Sequence, residues 1–270
     1  LCLPREEFDE KRVADSIKEL QREFSGNSFH LHTYMGVYEI RDRDEAVSIM
    51  VDKANIAADT IKNNYDCCVA YYDEHLLEIS IEQRRLLGEF EPALQNDEFV
   101  MYLQPQVKRD GAAKGAEALV RWVHPSRGIL TPYAFIDILE NAGLIYKLDL
   151  YIWEKAAQKL AEWKEKGYGS YHISVNISTK DFYIIDIYET FTGLINKYGI
   201  AASNLHLEIT ETTLMTDFEK NMNIIHKLQG VGFRVEIDDF GSGYSSLNML
   251  KDISADVLKI DMGFLRKSEN

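Results

Sequence analysis

The sequence has few of the residues and patterns that mark several classes of protein. Its three cysteines, Cys2, Cys67 and Cys68, form neither a disulfide framework nor a zinc-binding spacing. No apolar run approaches the roughly 18 residues that span a bilayer. These absences argue against a disulfide-stapled secreted domain, and they predict a cytoplasmic location with no membrane contact through this segment.

Basic residues are also scarce relative to acidic ones. The chain has 30 lysines and arginines against 44 aspartates and glutamates, a formal net charge of -14. A nucleic acid polymer requires a basic surface, so this charge argues against such a partner. A small phosphorylated ligand is compatible with it, because carboxylates hold divalent cations that phosphate groups then share.

Hydrophobic patterns divide the chain into residues 1–75, 76–97 and 98–270. The first segment alternates amphipathic helices with extended stretches, which is typical of a two-layer α/β domain whose opening part is absent. Its predicted elements are a strand ending over residues 1–4, helices at 5–24 and 44–64, and strands at 29–40 and 68–72. The second segment is helical and heavily charged, which predicts a connector between two domains.

The third segment alternates strands with amphipathic helices. The predicted strands are 99–104, 116–123, 171–177, 205–210, 233–238 and 256–260. The main predicted helices are 132–141, 147–166, 181–198 and 217–230. Such alternation predicts parallel strands joined by right-handed crossovers. Six strands of this kind fit either an open doubly wound sheet or a (β/α) barrel that lacks its last units.

The composition of the strands distinguishes these two folds. Strands covered by helices on both faces are apolar throughout. Five of the six strands instead have one apolar and one polar side; in one of them Leu205, Leu207 and Ile209 alternate with His206 and Glu208. A barrel lined with polar groups explains this alternation. The predicted fold class is therefore α/β: a TIM-type (β/α) barrel, truncated before its last strands and preceded by a partial two-layer α/β domain.

Six residues on the polar sides are candidates for a functional site. They are Glu117, Asn176, Glu208, Asp238, Asp239 and Lys259. Each acid taken alone is better explained as a solvated carboxylate at a strand end, and the lysine as half of a salt bridge. Together, oxygen ligands on successive strands predict a site for magnesium or manganese, since these hard cations prefer oxygen. The adjacent Asp238 and Asp239 are suited to bridging two ions.

The segment from Gly115 to Trp122, GAEALVRW, resembles the signature of the EAL-domain cyclic di-GMP phosphodiesterases. Further stretches resemble other blocks of that family, in the family's order. They are residues 102–105 (YLQP), 175–178 (VNIS), 207–211 (LEITE), 237–247 (IDDFGSGYSSL) and 258–261 (LKID). The three-letter signature alone is weak evidence, whereas six ordered blocks are specific.

This resemblance implies a TIM-type barrel that hydrolyses one phosphodiester of cyclic di-GMP to linear pGpG, using two Mg²⁺ or Mn²⁺ ions in bacterial second-messenger signalling. The metal ligands that it implies are Glu117, Asn176, Glu208, Asp238 and Asp239. The catalytic residues that it implies are Glu117, Asp239 and Lys259, with Lys259 orienting or polarising the attacking water.

The resemblance also implies a substrate-binding set and an assembly. The set is Gln104, Leu119, Arg121 and Asp261. Arg121 would contact a phosphate, for which a forked cation has the right geometry. Gln104 and Leu119 would contact a guanine. By the same analogy, the EAL domain is expected to form a homodimer.

The chain departs from the family pattern at its end. Two further strands, with another metal-associated glutamate and a glutamine, are expected beyond Asn270. Both ends of the chain are therefore predicted to be cut, and the function is assigned to a longer parent protein. More faintly, residues 34–38 (YMGVY), 52–58 and 71–73 resemble the C-terminal part of a GGDEF diguanylate cyclase domain, which often precedes an EAL domain.

Two other functions remain alternatives. A catalytically inactive EAL domain would act as a cyclic di-GMP receptor or a protein-interaction module, and loss of the glutamate expected beyond Asn270 would favour it. A magnesium-dependent barrel lyase of the enolase type also uses strand-end carboxylates. That chemistry needs a lysine or histidine base for proton abstraction, and the contexts of Gln104 and Arg121 do not fit it.

Overall fold

The computed structural model describes residues 2–24, 33–62, 67–241 and 255–261. The helices of these residues are α1 (Glu10–Phe24), α2 (Val47–Asp59), α3 (Glu74–Gln95), α4 (Ile136–Asn141), α5 (Ile145–Glu165), α6 (Asp181–Ile184), α7 (Ile187–Tyr198), α8 (Glu211–Thr216) and α9 (Phe218–Val231). The strands are β1 (Met35–Val37), β2 (Val69–Tyr71), β3 (Phe99–Val107), β4 (Ala113–His124), β5 (Gly128–Leu130), β6 (His172–Ile177), β7 (Leu205–Thr210), β8 (Arg234–Phe240) and β9 (Val257–Ile260). Among these residues, no helix combines the length and the hydropathy needed to cross a bilayer.

The chain divides into two compact units, Leu1–Leu86 and Leu87–Asn270. The domain limits given above stay a prediction. In the first unit, β1 and β2 pair in parallel and α2 packs against both. A Cβ atom on Gly36 would lie 1.8 Å from the carbonyl oxygen of Ala54, so only glycine lets α2 approach β1 this closely.

The order α1, β1, α2, β2 confirms the predicted alternation of the first unit. Residues 29–32 of the predicted strand 29–40 lie outside the described residues. The strand end predicted over residues 1–4 is wrong for residues 2–4, which are exposed and belong to no helix or strand. The resemblance of this unit to a GGDEF domain stays a prediction.

In the second unit, six strands follow one another in the order β3-β4-β6-β7-β8-β9, and β5 pairs with β4. Four consecutive pairs, from β4–β6 to β8–β9, are parallel, as predicted. The first pair, β3–β4, is antiparallel and is an exception to the predicted pairing. Residues 108–112 alone connect these two strands, whereas a parallel crossover needs a dozen residues or more.

Two helical segments differ from the prediction. The single helix predicted over 181–198 is divided into α6 and α7, because Asp186 starts a new helix by accepting a hydrogen bond from the Glu189 amide at 3.0 Å. The helix α8 was not predicted, since its six residues are too few to show a helical period. Its N-cap is Thr210, whose hydroxyl accepts from the Thr213 amide at 3.2 Å.

The strand β7 is buried on both of its sides. Leu205, Leu207 and Ile209 on the apolar side of β7 are all at most 1% exposed. On the opposite side, His206 and Glu208 are 3% and 1% exposed. The polar side of β7 is therefore enclosed as well, and its charged groups need partners from neighbouring strands.

Candidate active site

Three of the predicted site residues meet on the polar side of the sheet. The Nζ of Lys259, on β9, lies 2.9 Å from Glu117 Oε2, on β4, and also forms an ion pair with Glu208 Oε1, on β7. The strands β6, β7 and β8 separate β4 from β9. In a flat sheet these two strands would lie roughly 19 Å apart, since neighbours are about 4.8 Å apart. The sheet therefore curls strongly, as the wall of a barrel does, although closure stays a prediction.

Glu208 is the most enclosed member of this group. It is 1% exposed, and neither of its carboxylate oxygens has a hydrogen-bond partner of normal geometry. Burial raises the pKa of Glu208 to about 8; Lys259 opposes this shift, while Glu117 and Asp238 add to it. A buried carboxylate with one shared lysine is a favourable position for a further cation.

Lys259 keeps its charge in this setting. Burial lowers the pKa of Lys259, but Glu208 and Glu117 outweigh burial and make its net pKa higher than usual. The lysine is therefore protonated at neutral pH. It supplies a fixed ammonium donor between two carboxylates that belong to well-separated strands.

Asp238 and Asp239 lie near the end of β8, where the backbone changes direction. Adjacent residues of a regular strand face opposite sides of the sheet. Asp239 has a positive φ of 53°, and the β8–β9 register shifts between Ile237 and Phe240. Burial raises the pKa of Asp239, and the charges of Asp238 and Asp261 raise it further. The end of β8 and the residue after β9 thus concentrate negative charge in one place.

Asn176 and Gln104 flank the cluster through strand register. Asn176 pairs with Glu208 across β6–β7, and Gln104 pairs with Glu117 across β3–β4. Residues directly opposite each other on neighbouring strands project to the same side of a sheet. Both Asn176 and Gln104 are exposed, so their amides are accessible to a ligand beside Glu117 and Glu208.

The remaining predicted residues lie further along β4 and after β9. Leu119 and Arg121 follow Glu117 at alternate positions of β4, and both are half-buried. Arg121 Nη1 donates to the carbonyl oxygen of Val120 at 2.7 Å, and its guanidinium lies 5.6 Å from the centre of the Tyr102 ring. Asp261, which follows β9, is half-buried. The protein itself therefore already orients part of the Arg121 guanidinium.

A second cluster of polar residues on these strands is absent from the predicted site. The imidazoles of His172 and His206 stack with centroids 3.7 Å apart, and His206 Nδ1 lies 2.6 Å from Glu236 Oε1. His206 and Glu236 precede Glu208 and Asp238 by two positions, on the same polar sides. The alternation along each strand therefore places His206 and Glu236 on the polar side of the sheet. It does not distinguish a buried polar residue from a solvated one.

A pair of carboxyl groups behind β6 was also missed. Asp181 is fully buried, and its Oδ2 accepts a hydrogen bond from the Ser178 amide at 2.7 Å. Burial, followed by the nearby charge of Asp181, raises the pKa of Asp149 well above its ordinary value. Asp149 therefore takes up a proton more readily than an ordinary aspartate, and a hydrogen bond joins it to Asp181. Through Ser178, this pair supports the turn that follows Asn176.

The chain is similar to known proteins in sequence and in fold. The family model of the EAL domain matches residues 88–270. The chain is 33% identical over 212 residues to the bifunctional diguanylate cyclase/cyclic di-GMP phosphodiesterase MucR of Pseudomonas aeruginosa, covering 78% of this chain and 30% of MucR. It is 33% identical over 174 residues to the cyclic di-GMP phosphodiesterase PdeR of Escherichia coli, covering 64% of this chain and 26% of PdeR. The chain thus spans less than a third of the length of these two curated relatives.

Solved structures show the same relationship. The PaMucR phosphodiesterase in complex with cyclic di-GMP is 34% identical to the chain and superimposes with a TM-score of 0.65, covering 69% of this chain and 76% of that one. The match of the family model extends over well more than half of the 270 residues and includes Glu117, Glu208 and Lys259. The chain belongs to the EAL domain family.

Proposed function

We propose that the protein containing this segment hydrolyses one phosphodiester bond of cyclic di-GMP to give linear pGpG, with the help of divalent cations. The observation that carries this proposal is Glu208. Its carboxylate is buried without a normal hydrogen-bond partner, and it shares Lys259 with Glu117. Strongly perturbed carboxyl groups at the end of a sheet are typical of functional sites.

The residues fit a magnesium or manganese site. The proposed ligands all offer oxygen atoms, and they are Glu117, Asn176, Glu208, Asp238 and Asp239. Neither oxygen of Glu208 has a hydrogen bond of normal geometry among the described residues, and Asp239 lies among other carboxylates, so both gain from a cation. When bound, two such ions would activate a water molecule and neutralise charge on the leaving oxygen.

The chain's own residues would hold the water and the substrate. Lys259 would orient and polarise the attacking water through its protonated Nζ, since this atom lies between two proposed ligands. Asp239 would accept a hydrogen bond from the same water at the end of β8. Arg121 would bind a substrate phosphate with the part of its guanidinium that does not contact Val120.

The remaining substrate contacts are proposed from position. Gln104 and Leu119, on the neighbouring strands β3 and β4, would contact a guanine, and Asp261 would complete the substrate site. The names of MucR and PdeR, and the cyclic di-GMP bound to PaMucR, support this choice of substrate. A homodimer through the EAL domain belongs to the same proposal.

The test is hydrolysis by the full-length protein that contains this segment, with Mg²⁺ or Mn²⁺ and with nucleotides separated by chromatography. Glu117→Gln removes one proposed ligand, and His226→Ala, which removes an exposed histidine of α9, is the control. We expect pGpG from the wild type and the control and none from Glu117→Gln. Tight binding of cyclic di-GMP without turnover would instead support the receptor alternative. If the folded protein neither binds nor hydrolyses cyclic di-GMP, both the phosphodiesterase proposal and the receptor alternative are wrong.

A further inference from the structure

The histidine cluster, which we define as His172, His206 and Glu236, has the composition of a metal site. All three residues are at most 5% exposed, and one ligand atom from each lies within 4.8 Å of the others. Each also has a defined hydrogen bond: His206 Nδ1 to Glu236 Oε1 at 2.6 Å, and His172 Nε2 to Gln106 Oε1 at 2.7 Å. The cluster is thus an ordered group of nitrogen and oxygen ligands on three adjacent strands.

Glu236 gives a second, independent indication of a ligand. Its Oε2 is buried and forms no hydrogen bond of normal geometry among the described residues, although the nearby Ser174 hydroxyl contributes to lowering the pKa of this carboxyl. The Nζ of Lys259 lies 3.9 Å from this oxygen, too far for a hydrogen bond. A buried carboxylate oxygen without a well-formed hydrogen bond is stabilised by a cation placed against it.

The backbone makes room for the cluster. Gly115 pairs with His172 across β4–β6, and a Cβ atom on Gly115 would lie 2.5 Å from the imidazole ring. Any larger residue there would displace the ring. Burial lowers the pKa of His172 to about 4, so the ring is neutral and keeps a lone pair at neutral pH.

We propose that the histidine cluster binds a transition-metal ion of the zinc type, separate from the magnesium or manganese site proposed above. Two imidazoles and one glutamate are a ligand set that proteins use for Zn²⁺, with a position left for water. Imidazole nitrogen favours zinc and its neighbours, whereas magnesium prefers oxygen ligands. The proposal does not depend on whether the protein hydrolyses cyclic di-GMP.

Binding requires a small rearrangement. A metal ion lies close to the plane of each imidazole that it binds, and the two rings are parallel, with an interplanar angle of 1°. One ring, or both, must therefore turn about its Cβ–Cγ bond. Turning His206 breaks its hydrogen bond to Glu236 and frees both ligand atoms. Metal binding thus competes with this hydrogen bond. The bound ion and the Lys259 ammonium would both lie near the Glu236 carboxylate.

The experiment is a titration of the whole chain with Co²⁺ alone, followed by visible absorption and then by displacement with Zn²⁺. Co²⁺ bound by nitrogen ligands in four- or five-coordination absorbs much more strongly than octahedral Co²⁺ bound by oxygen. The tested variants are His206→Gln and Glu236→Gln. The controls are Glu208→Gln, which alters the oxygen-rich site, and His226→Ala, which removes an exposed histidine.

We expect one intense Co²⁺ band that Zn²⁺ removes and excess Mg²⁺ does not. Both tested variants should weaken binding by more than about tenfold, since even outer partners of a metal change affinity by about 10- to 100-fold, while both controls retain the band. In thermal unfolding, His206→Gln and Glu236→Gln should each lose the stabilisation by Zn²⁺ seen in the wild type, while both controls keep it. No intense band in the wild type, a band unchanged in both tested variants, or its loss in Glu208→Gln would overturn the proposal.

Discussion

Replacement of Glu208 by glutamine should remove much of the pH dependence of unfolding in the cation-free protein. The pKa of Glu208 is about 8 in the folded protein against an ordinary value of 4.5. Between these values the folded protein keeps a proton that the unfolded chain has released. The resulting stabilisation is complete below about pH 4.5 and is lost as the pH rises through 8.

The size of the effect follows from the shift. One pKa unit corresponds to about 1.4 kcal/mol, so the whole shift is on the order of 5 kcal/mol. The part lost between pH 5.5 and pH 7.5 is about 2–3 kcal/mol of the free energy of unfolding. Because other groups titrate in the same range, the quantity to compare is the difference between the wild type and Glu208→Gln at each pH.

The assay is urea unfolding at pH 5.5, 6.5 and 7.5 in the presence of a chelator. Tryptophan fluorescence reports on the second unit, since Trp122, Trp153 and Trp163 are the three tryptophans of the chain. Glu165→Gln, at the exposed end of α5, is the control and should follow the wild type. Addition of Mg²⁺ at pH 7.5 should stabilise the wild type more than Glu208→Gln. Parallel stability curves for the wild type and Glu208→Gln would refute the reasoning.

Three further outcomes are expected. Lys259→Met should lower kcat for cyclic di-GMP by at least about 100-fold with little change in KM, because the proposed role is in orienting and polarising the water; Lys197→Met, on the surface, is the control, and equal kcat values would contradict the role. His172→Gln should reduce the loss of stability on acidification: the pKa of His172 is about 4 instead of 6.5, so the wild type loses up to about 3 kcal/mol as the pH falls from 6.5 through 4. Identical acid dependence of urea unfolding in both proteins would disprove this. Gly36→Ala should expose the first unit to proteolysis, because its Cβ would meet the Ala54 carbonyl, whereas Gly88→Ala, with open space around it, should not; equal cleavage rates would show that α2 moves away at little cost.

The sequence predicted the elements of the second unit better than their contacts. Alternation of apolar and polar residues identifies β6, β7 and β8, because each has one side against an apolar core. The pair β3–β4 is antiparallel because the connection between the two strands is short. The prediction of parallel pairing did not take the length of this connection into account. That Lys259 contacts Glu117 across three intervening strands depends on the curl of the sheet. No local pattern contains that information.

The histidine cluster and the Asp149–Asp181 pair show a second limit of sequence reasoning. A polar residue on the polar side of a strand looks the same in the sequence whether water or another side chain contacts it. Only the structure shows that His206 is 3% exposed and that Asp181 is fully buried. Burial changes the chemistry of such groups, since it shifts their pKa values and makes a missing hydrogen bond costly.

Charge balance on the polar side connects stability with cation binding. Glu117, Glu208 and Glu236 all lie within 4 Å of the Lys259 ammonium, so one positive charge faces three carboxyl groups. Burial raises the pKa of Glu236, but the hydrogen bond with His206 and the nearby charges of His206 and Lys259 outweigh burial and leave this pKa lowered. Glu208 shares its lysine with two other carboxyl groups, and burial, with smaller contributions from Glu117 and Asp238, raises its pKa.

Two ways of restoring the balance at Glu208 follow from this arrangement. Without a cation, Glu208 takes up a proton; with a divalent cation, it remains ionised and acts as a ligand. Because these states exclude each other, cation affinity should rise with pH up to about 8, and cation binding should release a proton from the protein. An apolar side chain at position 208 would remove the free-energy cost of burying a carboxylate. The strand β7 would then offer no ligand for the cation at this position.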